Sequence, residues 1–413
     1  MHSQVVIIGA GPAGCSTSLF LSKHKIPHLI LEQSTFPRDK ICGDALSGKV
    51  VEVLKKYDEN LIHQMTQDPT HFLGSWGVKF VAPNGKALDI PFKQNTGQEP
   101  HAPGFICRRM HFDHFMVQQL DTSYAQLITG AEVISMGKAD NINSVTYTNQ
   151  GVVQTTSFDI IVGCDGDRSI VEKTFVNRSL EPDHYCAGIR AYYKNVTELH
   201  PQNFIELHFL DELLPGYLWI FPLGDGTCNV GAGMLSSSVS KNKVNLREQM
   251  LKAIAENPNL KKRFANAQLE GKINGWGLPL GSKKRSISGH HYILTGDAAS
   301  LIDPFTGEGI GNALYSGFFA AQAIQKAIEH KNFSAPFLAL HYDNPVYERL
   351  WSELKLSHSL QKLSKYNRLF NFVVNRAHKS TTLRNTISSM FEDMDLRAQF
   401  RNPVFWWKMM IGK

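Results

Sequence analysis

The chain is poor in cysteine, with six in 413 residues at positions 15, 42, 107, 164, 186 and 228, and no two of them stand at C-x-x-C spacing. That spacing excludes a zinc ribbon or iron–sulfur pattern and argues against a disulfide framework, so reduced thiols and no metal site are expected. No uninterrupted apolar run is long enough to span a bilayer. The first apolar run begins within five residues of Met1, with no leader ahead of it, and a cytoplasmic chain is the expectation. Internal repeats and low-complexity tracts are missing. So is any nucleic-acid motif, which sets nucleic acid aside as a partner despite a net charge of +6.

What is present suits a cofactor enzyme. At 413 residues and 42% hydrophobic content, two or three domains with sizeable cores are expected. Val5 to Gly14 reads VVIIGAGPAG. Gln4 to Ile8 has the continuous apolar character of a strand buried on both faces. Gly9, Gly11 and Gly14 follow at G-x-G-x-x-G spacing, where missing side chains permit a tight turn, close approach of a pyrophosphate and close helix packing. A helix from Ala13 to about His24 would turn its first N–H groups and its dipole toward the phosphates. A second apolar run, His28 to Leu31, ends at Glu32. A carboxylate there accepts hydrogen bonds from ribose hydroxyls and repels a 2′-phosphate, so the ligand is FAD or NAD rather than NADP.

A second passage, YILTGDAASLIDPFTGEGIGNAL, selects FAD. Tyr292 to Leu294 reads as a buried strand, and Gly296-Asp297 follows where a chain turns out of the sheet; an acid there can accept from ribityl hydroxyls. Pro304 to Gly311 is a glycine-rich loop opening a helix, about Asn312 to Ile328. Its N-terminus would stabilise negative charge on a reduced flavin ring. Taken alone, Asp297 would also suit a helix N-cap.

The two motifs lie far apart in sequence, so residues between them form an insertion. Phe158 to Gly166, FDIIVGCDG, is a third buried strand returning the chain to the flavin domain. The expected division is 1–69, 105–175 and 284–334 for the FAD domain, 70–104 and 176–283 for a substrate domain, and 335–413 for a C-terminal helical region. In the insertion, FIELHF (Phe204 to Phe209) alternates apolar and polar residues, which predicts a sheet with one face toward solvent or a cavity. Beyond residue 335, Trp351, Leu354, Leu360, Leu363, Phe370 and Val373 recur at mostly helical steps.

At this point the residues carry a resemblance. GAGPAG, Arg109-Met-His-Phe-Asp113, CDG at 164–166 and GDAA at 296–299 resemble the flavoprotein group that includes p-hydroxybenzoate hydroxylase, flavin-dependent halogenases and geranylgeranyl reductases. FPRDKICGDAL (36–46), PGYLWIFP (215–222) and GWGLP (275–279) are most similar to the geranylgeranyl reductases. The resemblance implies an α/β fold: a Rossmann-like FAD-binding domain, an inserted and mostly antiparallel substrate sheet, and C-terminal helices. It implies hydride delivery from reduced flavin to an isolated carbon–carbon double bond of a polyprenyl chain, with a proton added to the neighbouring carbon. Gly9, Gly11, Gly14, Glu32, Arg109, Asp297, Gly309 and Gly311 would then bind FAD, together with Pro12, Ala13, Gln33, Val133, Asp165, Gly166, Gly296, Pro304, Gly307 and Ile310. Lys40, Cys42 and Gly43 would stand beside the isoalloxazine as the catalytic group, and Tyr217, Trp219, Phe221 and Pro222 would line the substrate cavity. One departure is Asp44 after Cys42-Gly43, where many relatives carry a small residue.

Read from the residues alone, these pieces stay open. Tyr217, Trp219 and Phe221 share one face of a strand, which serves an apolar cavity over a flavin or plain sheet packing. Cys42 suits a buried small hydrophobe or a catalytic thiol, and Arg109 a surface cation or a phosphate ligand. From Lys355 onward the chain carries eleven Lys or Arg against three acids. That is a solvated helical face, or a docking surface for anionic lipid at the inner face of a membrane, with Phe405, Trp406, Trp407 and Met409 as interfacial groups. No second glycine fingerprint on a strand–helix unit appears, since VGAGM at 230–234 lies in the insertion. The flavin is therefore reduced by transient NADPH or by a separate electron-donor protein. Three functional classes follow: an FAD-dependent reductase of isoprenoid lipid double bonds, a flavin monooxygenase or halogenase acting on an aromatic or carrier-bound substrate, and an FAD-binding escort without turnover. Tyr217-Leu-Trp219-Ile-Phe221-Pro222 departs from the W-x-W-x-I-P segment of halogenases and argues against halogenation.

Overall fold

The structure is a computed structural model that describes residues 2–92, 101–139, 142–377 and 380. The aromatic and basic stretch around Phe405 to Met409 lies outside the described residues.

The chain opens with β1 (His2–Ile8), α1 (Pro12–Lys23) and β2 (His28–Glu32). Helix α2 (Gly48–Tyr57) and the hairpin β3 (Gly77–Val81) and β4 (Ala87–Pro91) follow. Helix α3 (Arg109–Gln118) leads to β5 (Ala125–Thr129), β6 (Ala131–Ala139), β7 (Ile142–Asn149) and β8 (Val152–Gly163). The insertion then continues with β9 (Tyr185–Lys194), β10 (Ile205–His208), β11 (Gly216–Pro222) and β12 (Thr227–Leu235). Helices α4 (Leu246–Glu256) and α5 (Pro258–Arg263) precede β13 (Gln268–Pro279) and β14 (Tyr292–Leu294). The described chain closes with α6 (Ile310–Glu329), a short helical stretch at Ala335–Leu338, α7 (Asn344–Leu363) and α8 (Asn367–Ala377).

The first sheet has a parallel path β14-β8-β1-β2-β5; β7 joins β8 and β6 joins β7 antiparallel, and Ser288–Gly289 pairs antiparallel with β14. Val5 to Ile8 and Leu29 to Leu31 are buried, as parallel strands covered on both faces require. Helix α1 is buried from Pro12 to Ser22 and has no polar face. It packs on α6, where a Cβ on Gly317 would lie 2.5 Å from the Ala13 carbonyl oxygen. Helix α6 begins at Ile310, two residues ahead of the sequence expectation, because the Glu308 carboxylate accepts the Gly311 N–H at 2.6 Å and stabilises the opening turn.

The second sheet runs β13-β9-β12-β11-β10-β3-β4, antiparallel except for β10 beside β3. Its register sorts the side chains. Trp276 is opposite Gly188, Arg190 opposite Gly231, Tyr192 opposite Asn229, Tyr217 opposite Gly233, Trp219 opposite Gly231 and Leu207, and Phe221 opposite Asn229. All of these therefore share one face. Glu206 and His208 lie on the other face with Leu218 and Ile220. Of the two expected surroundings for one face, solvent or a cavity, solvent is not what Glu206 and His208 meet: both are buried. Met250 and Leu260 of α4 and α5 share the apolar cluster on that face with Leu218 and Ile220, while Arg263 meets the Glu206 carboxylate with two hydrogen bonds at 2.6 and 2.9 Å. Burial alone would raise the Glu206 pKa, but His208 and Arg263 hold it down at about 2.

Candidate functional site

The ends of β1 and β8 meet first. A Cβ on Gly9, whose φ is +95°, would lie 2.6 Å from the Cys164 carbonyl oxygen, and one on Gly14 would lie 1.9 Å from the Gly9 carbonyl oxygen. Glycine is therefore required at both positions. Gly11 is different: the one atom within 4 Å of a Cβ there is Nη2 of Arg38, at 3.8 Å. Helix α1 starts at Pro12 with no side-chain cap, so its opening N–H groups, from Ala13 onward, face a space framed by Gly11 and a guanidinium. That cradle fits a pyrophosphate.

At the tip of β2, Glu32 accepts the Ala10 N–H at 2.8 Å and the Ser34 N–H at 2.9 Å. Arg38 bridges Glu32 and Asp113, at 3.4 and 2.8 Å, and Arg109 grips Asp113 at 2.7 and 2.8 Å. The Arg109 guanidinium is buried, which by itself would lower its pKa, yet Asp113 beside it holds it firmly charged. Arg38 was not a sequence candidate. Its signal was its place in FPRDK, two residues before Lys40.

The second glycine-rich passage closes over the same end of the sheet. Gly296, with φ +52°, donates its N–H to the Ser316 hydroxyl at 2.9 Å. Burial raises the pKa of Asp297, and Lys40 and Arg109 oppose that rise. A Cβ on Gly309 would stand 3.7 Å from Oδ1 of Asp297, and one on Gly307 would stand 3.0 Å from the Tyr217 hydroxyl, so these glycines keep the loop thin between the two sheets. Lys49 of α2 braces the loop through Asn312 at 3.0 Å and Glu353 at 2.7 Å. Asp165 spends one oxygen on the Ile170 N–H at 2.6 Å, while its other oxygen is buried without a hydrogen-bond partner among the described residues. Burial pushes its pKa to about 6. Gly166 follows with φ +77°. Val133 is half-buried on β6, and Gln33 is exposed beyond β2.

Between the two sheets runs the loop 36–44, fastened along its length to the face defined above. Asp39 pairs with Arg190 at 2.7 Å. The Lys40 ammonium lies 4.0 Å from the centroid of the Trp276 ring. The Cys42 carbonyl accepts from Asn229 at 2.8 Å. A Cβ on Gly43 would lie 3.1 Å from the Phe221 ring and 3.7 Å from Nε1 of Trp219. Asp44 is wholly buried and accepts from the Tyr192 hydroxyl and the Asn229 amide at 2.7 Å each, and from the Arg109 N–H at 3.2 Å. Burial lowers the Lys40 pKa, with Asp297 opposing, and raises the Cys42 thiol, with Arg109 opposing. It lifts Asp44 to about 6 against its hydrogen bonds to Asn229 and Tyr192. Asp44 is thus a buried anchor of the loop, and Asn229, Tyr192 and Arg190 are site residues that sequence reading missed.

Tyr217 and Trp219 project beyond this loop into an apolar cleft of about 70 Å³, walled by Phe209, Phe305, Leu278 and Leu280. Tyr217 donates to the Thr306 carbonyl, tying the cleft to the flavin-side loop. Gln361 and Ser364, at the end of α7, share the lining with Cys186 and the buried Asp303, and Gln361 donates to the Pro304 carbonyl at 2.7 Å. Phe221 and Pro222 lie buried at the far end of β11.

The sequence matches the family described as FAD binding domain over residues 2–331. It is 26% identical over 367 residues to digeranylgeranylglycerophospholipid reductase of Methanococcus vannielii, with 87% of each chain covered. Among solved structures, a geranylgeranyl bacteriochlorophyll reductase-like protein from Thermoplasma acidophilum superposes with a TM-score of 0.78 at 20% identity, covering 97% of this chain and 98% of that one. A flavin-dependent brominase superposes with a TM-score of 0.78 at 21% identity, covering 99% and 100%. With that family match spanning both glycine-rich passages and the cradle they build, the chain belongs to the FAD-binding domain family and is an FAD-dependent oxidoreductase.

Proposed function

We propose that this protein saturates isolated carbon–carbon double bonds of a polyprenyl lipid. One observation carries the reading: the aromatic face of β11 leaves little room for a side chain on Gly43, where a Cβ would lie 3.1 Å from the Phe221 ring, and opens at its other end into an apolar cleft. Bound FAD, once reduced, supplies a hydride. The residues of the chain do the rest. Glu32 and the uncapped start of α1 hold the adenosine and pyrophosphate ends, with Arg38 and Arg109 supplying positive charge and Asp297 held for the ribityl hydroxyls. Tyr217, Trp219, Phe209 and Phe305 exclude water from the acceptor chain and flatten it against the loop 36–44. Burial raises the Cys42 thiol above its ordinary value, with Arg109 opposing, and its place in the loop 36–44 makes it the candidate source for the proton that the second carbon requires. Lys40, Cys42 and Gly43 form the wall nearest the reacting bond.

The reductant is external to this fold, either NADPH entering transiently or an electron-donor protein. The lipid arrives from a membrane. Lys362, Leu363, Lys365, Tyr366 and Arg368 are exposed around the turn from α7 to α8, interleaved with Gln361 and Ser364, which line the cleft. Basic groups among exposed apolar ones suit an anionic lipid surface.

The test is anaerobic incubation of dithionite-reduced protein with a geranylgeranyl lipid, read by mass spectrometry. The expected product gains two hydrogen atoms per double bond reduced. An unchanged lipid, together with oxygen-dependent NADPH oxidation stimulated by an aromatic compound, would move the assignment to a monooxygenase or halogenase.

A further inference from the structure

Asn229 is wholly buried, and its side-chain amide is fully engaged. Its Oδ1 accepts the Trp219 indole N–H at 2.8 Å, and its Nδ2 donates to the Cys42 carbonyl at 2.8 Å and to the Asp44 carboxylate at 2.7 Å. An amide has two N–H donors, and here each has a partner. One side chain therefore joins three parts of the site: the aromatic wall, the backbone beside the reacting position, and a carboxylate under the loop.

The surroundings leave this amide little freedom. Trp219 fits where it does because Gly231 on β12 has no side chain; a Cβ there would lie 2.1 Å from its Cζ2, while one on Gly233 would only touch its Cζ3 at 3.8 Å. Asp44 holds the left-handed backbone conformation, φ +69°, that L residues rarely adopt. It is kept there by the Tyr192 hydroxyl, the Arg109 N–H and Asn229 together, while its own carbonyl accepts the Cys107 N–H at 2.9 Å. Loop and sheet thus meet at a saturated polar junction in an otherwise aromatic seam.

We infer that Asn229 is the positioning residue of this site. It fixes the spacing between Trp219, which walls the lipid chain, and the Cys42–Gly43 backbone, which faces the reacting bond, and so selects which double bond of a bound chain is presented for reduction. The selection rests on the polyprenyl reading above; the spacing does not.

The experiment is a swap. Asn229→Asp keeps an acceptor for Trp219, removes both donors and sets a second carboxylate against Asp44. Asn229→Asp with Asp44→Asn rebuilds the amide–carboxylate pair in reverse; it leaves the Cys42 carbonyl without its donor and the Tyr192 hydroxyl without the carboxylate oxygen it donates to. Both are made in the full chain and loaded with FAD. The contribution of Trp219 to near-ultraviolet circular dichroism, isolated by subtracting Trp219→Phe, is read with FAD affinity and with the distribution of partly and fully reduced products from a geranylgeranyl lipid. In Asn229→Asp the Trp219 band is lost, FAD affinity stays within about twofold, and the ratio of fully to partly reduced lipid shifts by about tenfold, as a sub-ångström to ångström misplacement produces. The swap restores the band and most of the ratio.

An unchanged band and ratio in Asn229→Asp would overturn the inference, as would a loss of FAD affinity in step with turnover or a swap that restores nothing. If Asn229→Asp does not fold, Trp219→Phe, which removes the indole hydrogen bond together with part of the ring that walls the cleft, must shift the product ratio; an unchanged ratio overturns the inference. Should the band respond as described while the wild-type protein leaves the lipid untouched, the polyprenyl reading falls and the positioning of Trp219 by Asn229 stands.

Discussion

The indole of Trp219 occupies the volume that a side chain on Gly231 would need: a Cβ there would lie 2.1 Å from the indole and 2.2 Å from the Ile189 carbonyl oxygen. The cleft wall on β11 depends on a glycine in the neighbouring strand. Gly231→Ala is expected to destabilise the protein by about 1–3 kcal/mol, the range for overpacked interiors, seen as a lower Tm of the FAD-loaded form. Because a backbone oxygen is obstructed as well as the ring, adding Trp219→Phe recovers only part of the loss. Full recovery would show that strand spacing bears none of the cost.

Glu32 braces the loop through the Ala10 and Ser34 N–H groups while Arg38 lies against it. Glu32→Gln leaves one acceptor oxygen and removes the charge. If the same carboxylate receives the ribose hydroxyls, FAD affinity falls by about tenfold or more, since hydrogen bonds to a charged group contribute about 1.5–3 kcal/mol. Flavin fluorescence titration measures this, with far-ultraviolet circular dichroism reporting that the fold is kept. Undiminished affinity would reassign Glu32 from cofactor ligand to loop brace.

The first glycine passage was legible because its chemistry is local. Strand, turn, helix and acid follow one another within thirty residues, and each is fixed by backbone needs that Gly9 and Gly14 meet directly. The shared face of Tyr217, Trp219 and Phe221 was legible for a similar reason, since strand alternation alone sets it. Asn229 and Tyr192 were hidden because their meaning arises from register: each becomes a site residue when β9, β11 and β12 align beneath a loop 187 and 148 positions earlier, respectively. FIELHF left solvent and a cavity both open, because the buried partner of its glutamate, Arg263, comes from a helix that alternation cannot foresee.

Asp44 gives a pH signature. Its pKa is raised to about 6 by burial, above the ordinary value of an unfolded aspartate. The folded state therefore holds this proton more tightly than the unfolded chain, so the contribution of Asp44 to stability is largest below about pH 4. It declines as pH rises to about 6 and is level beyond. In Asp44→Asn that decline is absent. Urea unfolding of both proteins between pH 4 and 7, at fixed FAD concentration, is expected to show their stability difference moving toward the variant by on the order of 1–3 kcal/mol across the window. A difference that does not change with pH would mean that Asp44 ionises at an ordinary carboxylate pKa and that its hydrogen bonds offset its burial.

The turn from α7 to α8 is where membrane attraction should be measurable. Leu363 and Tyr366 are 42% and 66% exposed, and Lys362, Lys365 and Arg368 around them have no ion-pair partner among the described residues. Each basic residue close to an anionic leaflet contributes about 1 kcal/mol, so replacing these three with alanine should weaken binding by on the order of 100-fold. Sedimentation of the full chain with vesicles containing phosphatidylglycerol provides the measurement, with phosphatidylcholine vesicles and added salt as controls. Binding should require the anionic lipid and fade with salt, because exposed charges are screened within about 10 Å at 0.1 M ionic strength. Binding that is unaffected by the triple substitution would shift the contact to another part of the chain, and equal binding to both vesicle types would remove the electrostatic component. With detergent-dispersed geranylgeraniol as acceptor the triple variant should turn over like the wild type, since Gln361 and Ser364, which line the cleft, are intact. A loss confined to vesicle-borne lipid would identify the turn as the entry side of the cleft.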